Sequence, residues 1–96
     1  MPEITIDCRG VTTPDELWQR HLDSAKPEGA AMFGRNLDAF WDAVEAGGPG
    51  CPGKVKLVFK YANHLEPLRT RDGGHSFLDM LKDIAREATV VNISFE

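Results

Sequence analysis

Three short segments of this chain alternate apolar with polar residues, and none lies close enough to the next for a hairpin. The first, EITIDC, sets Ile4, Ile6 and Cys8 against Glu3, Thr5 and Asp7, the period of a strand with one buried face. The second, KVKLVFKY, puts Val55, Leu57, Phe59 and Tyr61 on one side and Lys54, Lys56 and Lys60 on the other. The third, VVNISF, groups Val91, Ile93 and Phe95. Strands joined by long helical connections pair in parallel. A parallel sheet covered on both faces would read as unbroken apolar runs. Because these strands alternate, the sequence predicts an α/β fold of essentially two layers, a small three-stranded parallel sheet with helices packed mainly on one side.

The connections carry their own punctuation. In TPDELWQRHLDSA, Thr13 is a good cap, Pro14 suits the first helical position, and Glu16 completes a capping box. A helix is expected from Pro14 to Ser24, and AKPEGAAMFGR after it is a Pro- and Gly-marked loop. Asn36 then caps a helix over Leu37 to Ala46 that stops at Gly47. GGPGCPG is expected as an exposed loop, and ANHLEPLRTRDGG as a helical turn interrupted at Pro67. Ser76, with Asp79 three residues on, opens a last helix to Ala88. With 96 residues, one domain spanning 1–96 is expected.

Eleven Lys and Arg against fifteen Asp and Glu leave a net charge of -4. A nucleic-acid binder needs basic side chains to replace counterions along the phosphates, so a basic protein partner suits this chain better. No apolar run approaches the roughly 18 residues of a membrane span, and MPEITIDCRG lacks the basic head and apolar stretch of a signal peptide. A cytoplasmic location is expected, and with it two thiols at Cys8 and Cys51 rather than a disulfide.

Winding the second helix at about 100° per residue puts Leu37, Phe40 and Val44 on one stripe and Asp38, Asp42 and Glu45 on another. Trp41 falls between them. Asp38 and Asp42 are an i,i+4 pair of like charges, which costs a helix about 0.2–0.5 kcal/mol, and Glu45 in the last turn opposes the helix dipole. Arg35 is the one counter-charge near in sequence. Local stability does not account for this face. A solvated surface and a protein interface both fit it; Trp41 favours the interface, where Trp is a frequent anchor, although an indole can also complete a core.

As a catalytic pair, Asp38 and Asp42 would need a sheltered cleft and separated proton affinities, whereas they face outward. A carboxylate-based hydrolase is therefore the weaker reading, and no cofactor is expected. His21, expected on a helix side, lies far from His64 and His75, and no HExxH or Cys partner accompanies them, so no metal site is expected.

The string FGRNLDAFWDAV, Phe33 to Val44, resembles the signature of the barstar family, intracellular protein inhibitors of secreted microbial guanyl-specific ribonucleases such as barnase. The family pattern is an aromatic, Gly, one variable residue, Asn-Leu-Asp-Ala, an aromatic or Leu, then Trp-Asp. Gly34, Asn36, Leu37, Asp38, Ala39, Trp41 and Asp42 match it. The resemblance covers nearly the whole chain, more weakly outside the motif, and implies a barstar-like sheet with packed helices. It also implies a 1:1 complex with a microbial ribonuclease, and no direct contact with nucleic acid or membrane.

Residue by residue, the resemblance implies that Asp42 takes the place of an RNA phosphate among the enzyme's Arg and His side chains, with Asp38 as a second interfacial acid. Trp41 and Gly34 match contact residues, and Phe33 and Asn36 join the partner-binding set from within the motif. On the last helix Met80 matches an apolar contact and Asp83 an acidic one. Glu45 shares the acidic face without matching a contact. There are departures. Met32 stands in place of a tyrosine, Arg35 in place of an acid, and Ala43 and Thr89 in place of two cysteines; the loop GGPGCPG is longer and drops a tryptophan. They leave open which ribonuclease is the target, or whether the module serves a different toxin or protein.

Overall fold

The structure, a computed structural model, describes residues 2–70 and 73–96. Along the chain run β1 (Glu3–Asp7), α1 (Pro14–Ala25), a 3-10 turn (Ala30–Met32), α2 (Leu37–Ala46), β2 (Lys56–Lys60), a second 3-10 turn (Ala62–Leu65), α3 (Phe77–Glu87) and β3 (Asn92–Phe95). The strands form one sheet in the order β1-β2-β3 with both pairings parallel, the expected α/β architecture. Among the described residues no helix is long and apolar enough to cross a membrane.

Register explains why alternation was the deciding signal. Ile4 pairs with Leu57 and Leu57 with Ile93; Ile6 pairs with Phe59 and Phe59 with Phe95. Two apolar rows therefore cross the sheet on one face. The helices cover that face with Leu17, Trp18, Phe40, Val44, Phe77 and Leu81, all members of one buried cluster. Full burial of each such aliphatic or aromatic side chain is worth about 1.5–3 kcal/mol.

The caps hold where the sequence put them. Thr13 Oγ1 accepts the Glu16 N–H at 3.2 Å, and the Glu16 carboxylate accepts the Thr12 hydroxyl at 2.6 Å. Ser76 Oγ accepts the Asp79 N–H at 3.3 Å. The helix α1 runs one residue past the expected end and closes on Lys26 in the left-handed region. Of ANHLEPLRTRDGG, the opening helical turn is present, while Arg71 and Asp72 lie outside the described residues.

Four expectations need correction. Tyr61 was expected on the buried side of the second strand, but β2 ends at Lys60 and Tyr61, at φ 59°, turns the chain outward; its exposed ring lies under the Arg9 guanidinium at 4.6 Å. Val58 stands between the lysines on the opposite face and is still only 2 % exposed, because a central-strand residue is flanked on both sides, here by Thr5 and Ser94. His21 is fully buried, since Leu17, Trp18 and His21 share the stripe of α1 that faces the core. The segment GGPGCPG is not simply exposed: Gly50 is buried within it. Cys8 and Cys51 are free thiols, and burial pushes the Cys8 thiol up to about 11.

Candidate partner-binding face

The face is built by α2 and the loop that leads into it. Asn36 Oδ1 accepts the Ala39 N–H at 2.7 Å while its Nδ2 donates to the Gly34 carbonyl at 3.3 Å. Both ends of this amide are thus engaged in starting the helix. Gly34 is exposed, and a Cβ there would stand 3.0 Å from the Cβ of Ala39, so the loop lies tight against the first turn.

Arg35 between them sits at φ 53°, a region that costs a residue with a side chain. Three bonds to α1 hold it there. Its Nε donates to Asp15 Oδ1 at 2.7 Å, its Nη1 to Gln19 Oε1 at 3.1 Å, and its Nη2 to the Asp15 carbonyl at 3.0 Å. The guanidinium in turn holds the Asp15 carboxyl below its ordinary value. Arg35, the counter-charge that precedes the acidic helix in sequence, is thereby taken up by α1.

Around α2 the two stripes separate as expected. Phe40, Ala43 and Val44 are buried, whereas Asp38, Trp41 and Asp42 are exposed, Trp41 to 36 %. Of the two readings of this indole, the structure gives the surface one. Among the described residues neither the Asp38 nor the Asp42 carboxylate makes a hydrogen bond or ion pair. Glu45 differs, for its carboxylate accepts bonds from Thr89 and Val90. The acidic face therefore presents two open carboxylates, not three.

The other expected site residues divide. Met80, half-buried on α3, lines a groove with Pro14, Arg35, Asn36, Asp38 and Arg69 between the N-terminal ends of the helices. Asp83, one turn on, is ion-paired with Arg86 and lies outside that groove. Phe33 is not at the surface. It is 5 % exposed, and its ring packs edge-on against Trp18 at 5.7 Å and His21 at 5.8 Å. The aromatic of the motif is a core residue that anchors the loop.

Two exposed, unpaired carboxylates beside an indole can accept hydrogen bonds from Arg, Lys or His, the strong charge-assisted kind. Among the described residues no three His, Cys, Asp or Glu side chains are grouped to hold a metal. A family model described as barstar (barnase inhibitor) matches residues 1–96. The chain belongs to the barstar family. No curated protein sequence matches it.

Within this barstar-family domain, the contacts by which His21, Gly48 and Gly50 shape the face from behind were not legible in the sequence. His21 Nε2 lies 3.0 Å from the Gly50 carbonyl, so it carries the hydrogen that the carbonyl accepts. Gly50 lies against Phe33, and Gly48 against Asp42. The signals available were the aliphatic and aromatic neighbours of His21 at helical spacing and the Pro-Gly pair of the loop; neither says which surface the loop meets.

Proposed function

We propose that this chain inhibits a secreted microbial guanyl-specific ribonuclease by seating the exposed face of α2, and the loop before it, in the enzyme's active site. The observation that carries the reading is the pair of carboxylates, Asp38 and Asp42, open among the described residues, on a helix whose neighbouring counter-charge in sequence, Arg35, is bound to α1. A site that binds RNA phosphate is rich in cationic donors. A carboxylate offers them a forked anionic acceptor. Asp42 takes the phosphate's place, Asp38 adds a second anion, and Trp41 supplies the aromatic contact area common at hot spots. Gly34 allows close backbone approach, Met80 adds an apolar contact and Asp83 a peripheral acid. Asn36 and Phe33 act indirectly, by holding the helix start and the loop.

The complex is 1:1, involves no direct nucleic-acid contact, and serves immunity by keeping the enzyme inactive in the cytoplasm of the cell that makes it. The net charge of -4 speeds encounter with a basic enzyme. Arg35 and the long loop 47–53 favour a target other than barnase. Titration of purified guanyl-specific ribonucleases with the chain, following RNA cleavage at low and high salt, tests the reading. Stoichiometric loss of cleavage, with slower association at high salt, is expected. Unchanged cleavage across the panel would point to a non-ribonuclease partner, and hydrolysis by the chain alone to an enzyme.

A further inference from the structure

The segment after α2 is bound to the acidic face through its backbone. The Gly47 and Gly48 N–H groups both donate to the Asp42 carbonyl. Gly48 to Cys51 then forms a turn closed by the Cys51 N–H on the Gly48 carbonyl at 3.1 Å. Pro49 occupies its second position and Gly50, at φ 90°, its third, the residue order of a type II turn. Two contacts fix this turn to the core: His21 Nε2 donates to the Gly50 carbonyl at 3.0 Å, and the Gly50 α-carbon lies so close to Phe33 that a Cβ would come within 2.7 Å of the ring.

The fixed turn brings Gly48 against Asp42. A Cβ at position 48 would stand 2.0 Å from Asp42 Oδ2 and 2.9 Å from its Cγ, so the carboxylate occupies the space a side chain would fill. Gly48 is not among the residues of positive φ, and its backbone is therefore open to alanine. The conflict would fall on the movable end of the Asp42 side chain.

We propose that Gly48 is a positioning residue, whose missing side chain is the berth that sets the orientation of the Asp42 carboxylate before a partner arrives. This rests on the reading of Asp42 as the partner-binding acid. A side chain already held in its bound rotamer loses less freedom on association. The tether from His21 to Gly50 keeps the berth in place.

The test combines Gly48→Ala, Asp42→Ala and the double variant. In the free chain, three-bond scalar couplings report the Asp42 χ1 angle, and Gly48→Ala is expected to change it with little shift in the urea midpoint. Against an inhibited ribonuclease, Gly48→Ala is expected to raise the dissociation constant about tenfold, and to have no further effect once Asp42 is alanine. An unchanged χ1, or the same loss in the Asp42→Ala background, overturns the proposal. Should Gly48→Ala fail to fold, recovery of folding in the double variant supports the berth and no recovery overturns it. If the wild-type chain inhibits no ribonuclease, the functional reading falls, while the χ1 measurement still decides on Gly48.

Discussion

Glu45, in the last turn of α2, and Thr89, just beyond α3, lie 44 positions apart and are joined twice. The Glu45 carboxylate accepts the Thr89 N–H on Oε1 and the Thr89 hydroxyl on Oε2, both at 2.7 Å. The Val90 N–H adds a third bond at 3.3 Å. An acid in a last helical turn opposes the dipole; here it satisfies donors at the entry to β3, which offsets that cost. These bonds, the Thr89 hydroxyl foremost, hold the Glu45 carboxyl below its ordinary 4.5.

Replacing Glu45 with alanine is expected to lower the thermal midpoint by a few degrees and to speed amide exchange at Thr89 and Val90, with ribonuclease inhibition retained. The sign with pH follows from a depressed folded value. The stabilisation is complete above about pH 4.5 and is lost as pH falls through the folded pKa. Acid unfolding of wild type and Glu45→Gln should therefore diverge above that pH and converge below the folded value. Curves that keep a constant separation would mean that the charge on Glu45 contributes nothing.

Asp42 should behave in the opposite way. Its carboxylate has no partner among the described residues, and its removal relieves the repulsion with Asp38. Asp42→Ala is expected to leave the urea midpoint unchanged or slightly higher and to raise the dissociation constant by at least about 30-fold, the effect of a hot-spot residue. Isothermal titration beside urea unfolding reads both. A parallel loss of folding and binding would assign Asp42 to the fold.

What could be read from the sequence was local or periodic. The caps Thr13, Asn36 and Ser76 act within three residues, and the alternation of Ile4, Ile6, Leu57, Phe59, Ile93 and Phe95 meets in register because one face is buried. Glu45, His21 and Gly48 act across distances that periodicity does not encode. Their partners Thr89, Gly50 and Asp42 are fixed only once a loop or helix end has settled on a surface. Phe33 shows a further limit. The motif contains both exposed residues, Asp38, Trp41 and Asp42, and a buried one that anchors the loop before them, and the string does not separate them.

Trp41 and Trp18 give the proposed interface an optical reading. Trp18 is 1 % exposed and Trp41 36 %. Acrylamide is expected to quench one component of the emission, and Trp41→Phe should abolish that component and leave the blue-shifted signal of Trp18. Addition of an inhibited ribonuclease should protect the quenchable component. Quenching that is unchanged in the complex would place Trp41 outside the interface.

Phe33 is expected to matter for folding before it matters for binding. Truncating a buried aromatic to alanine costs about 3–5 kcal/mol, and here it also removes the surface on which Gly50 rests. Urea unfolding of Phe33→Ala should show a loss of that size, with Phe33→Leu losing less. A variant that keeps its stability and loses inhibition would return Phe33 to the contact set.

His21 makes the fold sensitive to mild acid. The ring is fully buried, 5.8 Å from Phe33 and 5.6 Å from Phe40, and among the described residues its Nδ1 has no hydrogen-bond partner. Burial drives its pKa below the ordinary 6.5, against the smaller opposing effect of the Gly50 carbonyl. A lowered histidine pKa means that the unfolded chain binds more protons between the folded value and 6.5, so stability rises with pH across that window. The full contribution is present above about pH 6.5 and declines as pH falls below it. Gln places an amide donor where Nε2 stood and does not titrate. Unfolding free energies measured from about pH 7 to about pH 5 should fall for wild type more steeply than for His21→Gln. Parallel curves would show that the buried ring accepts its second proton without cost.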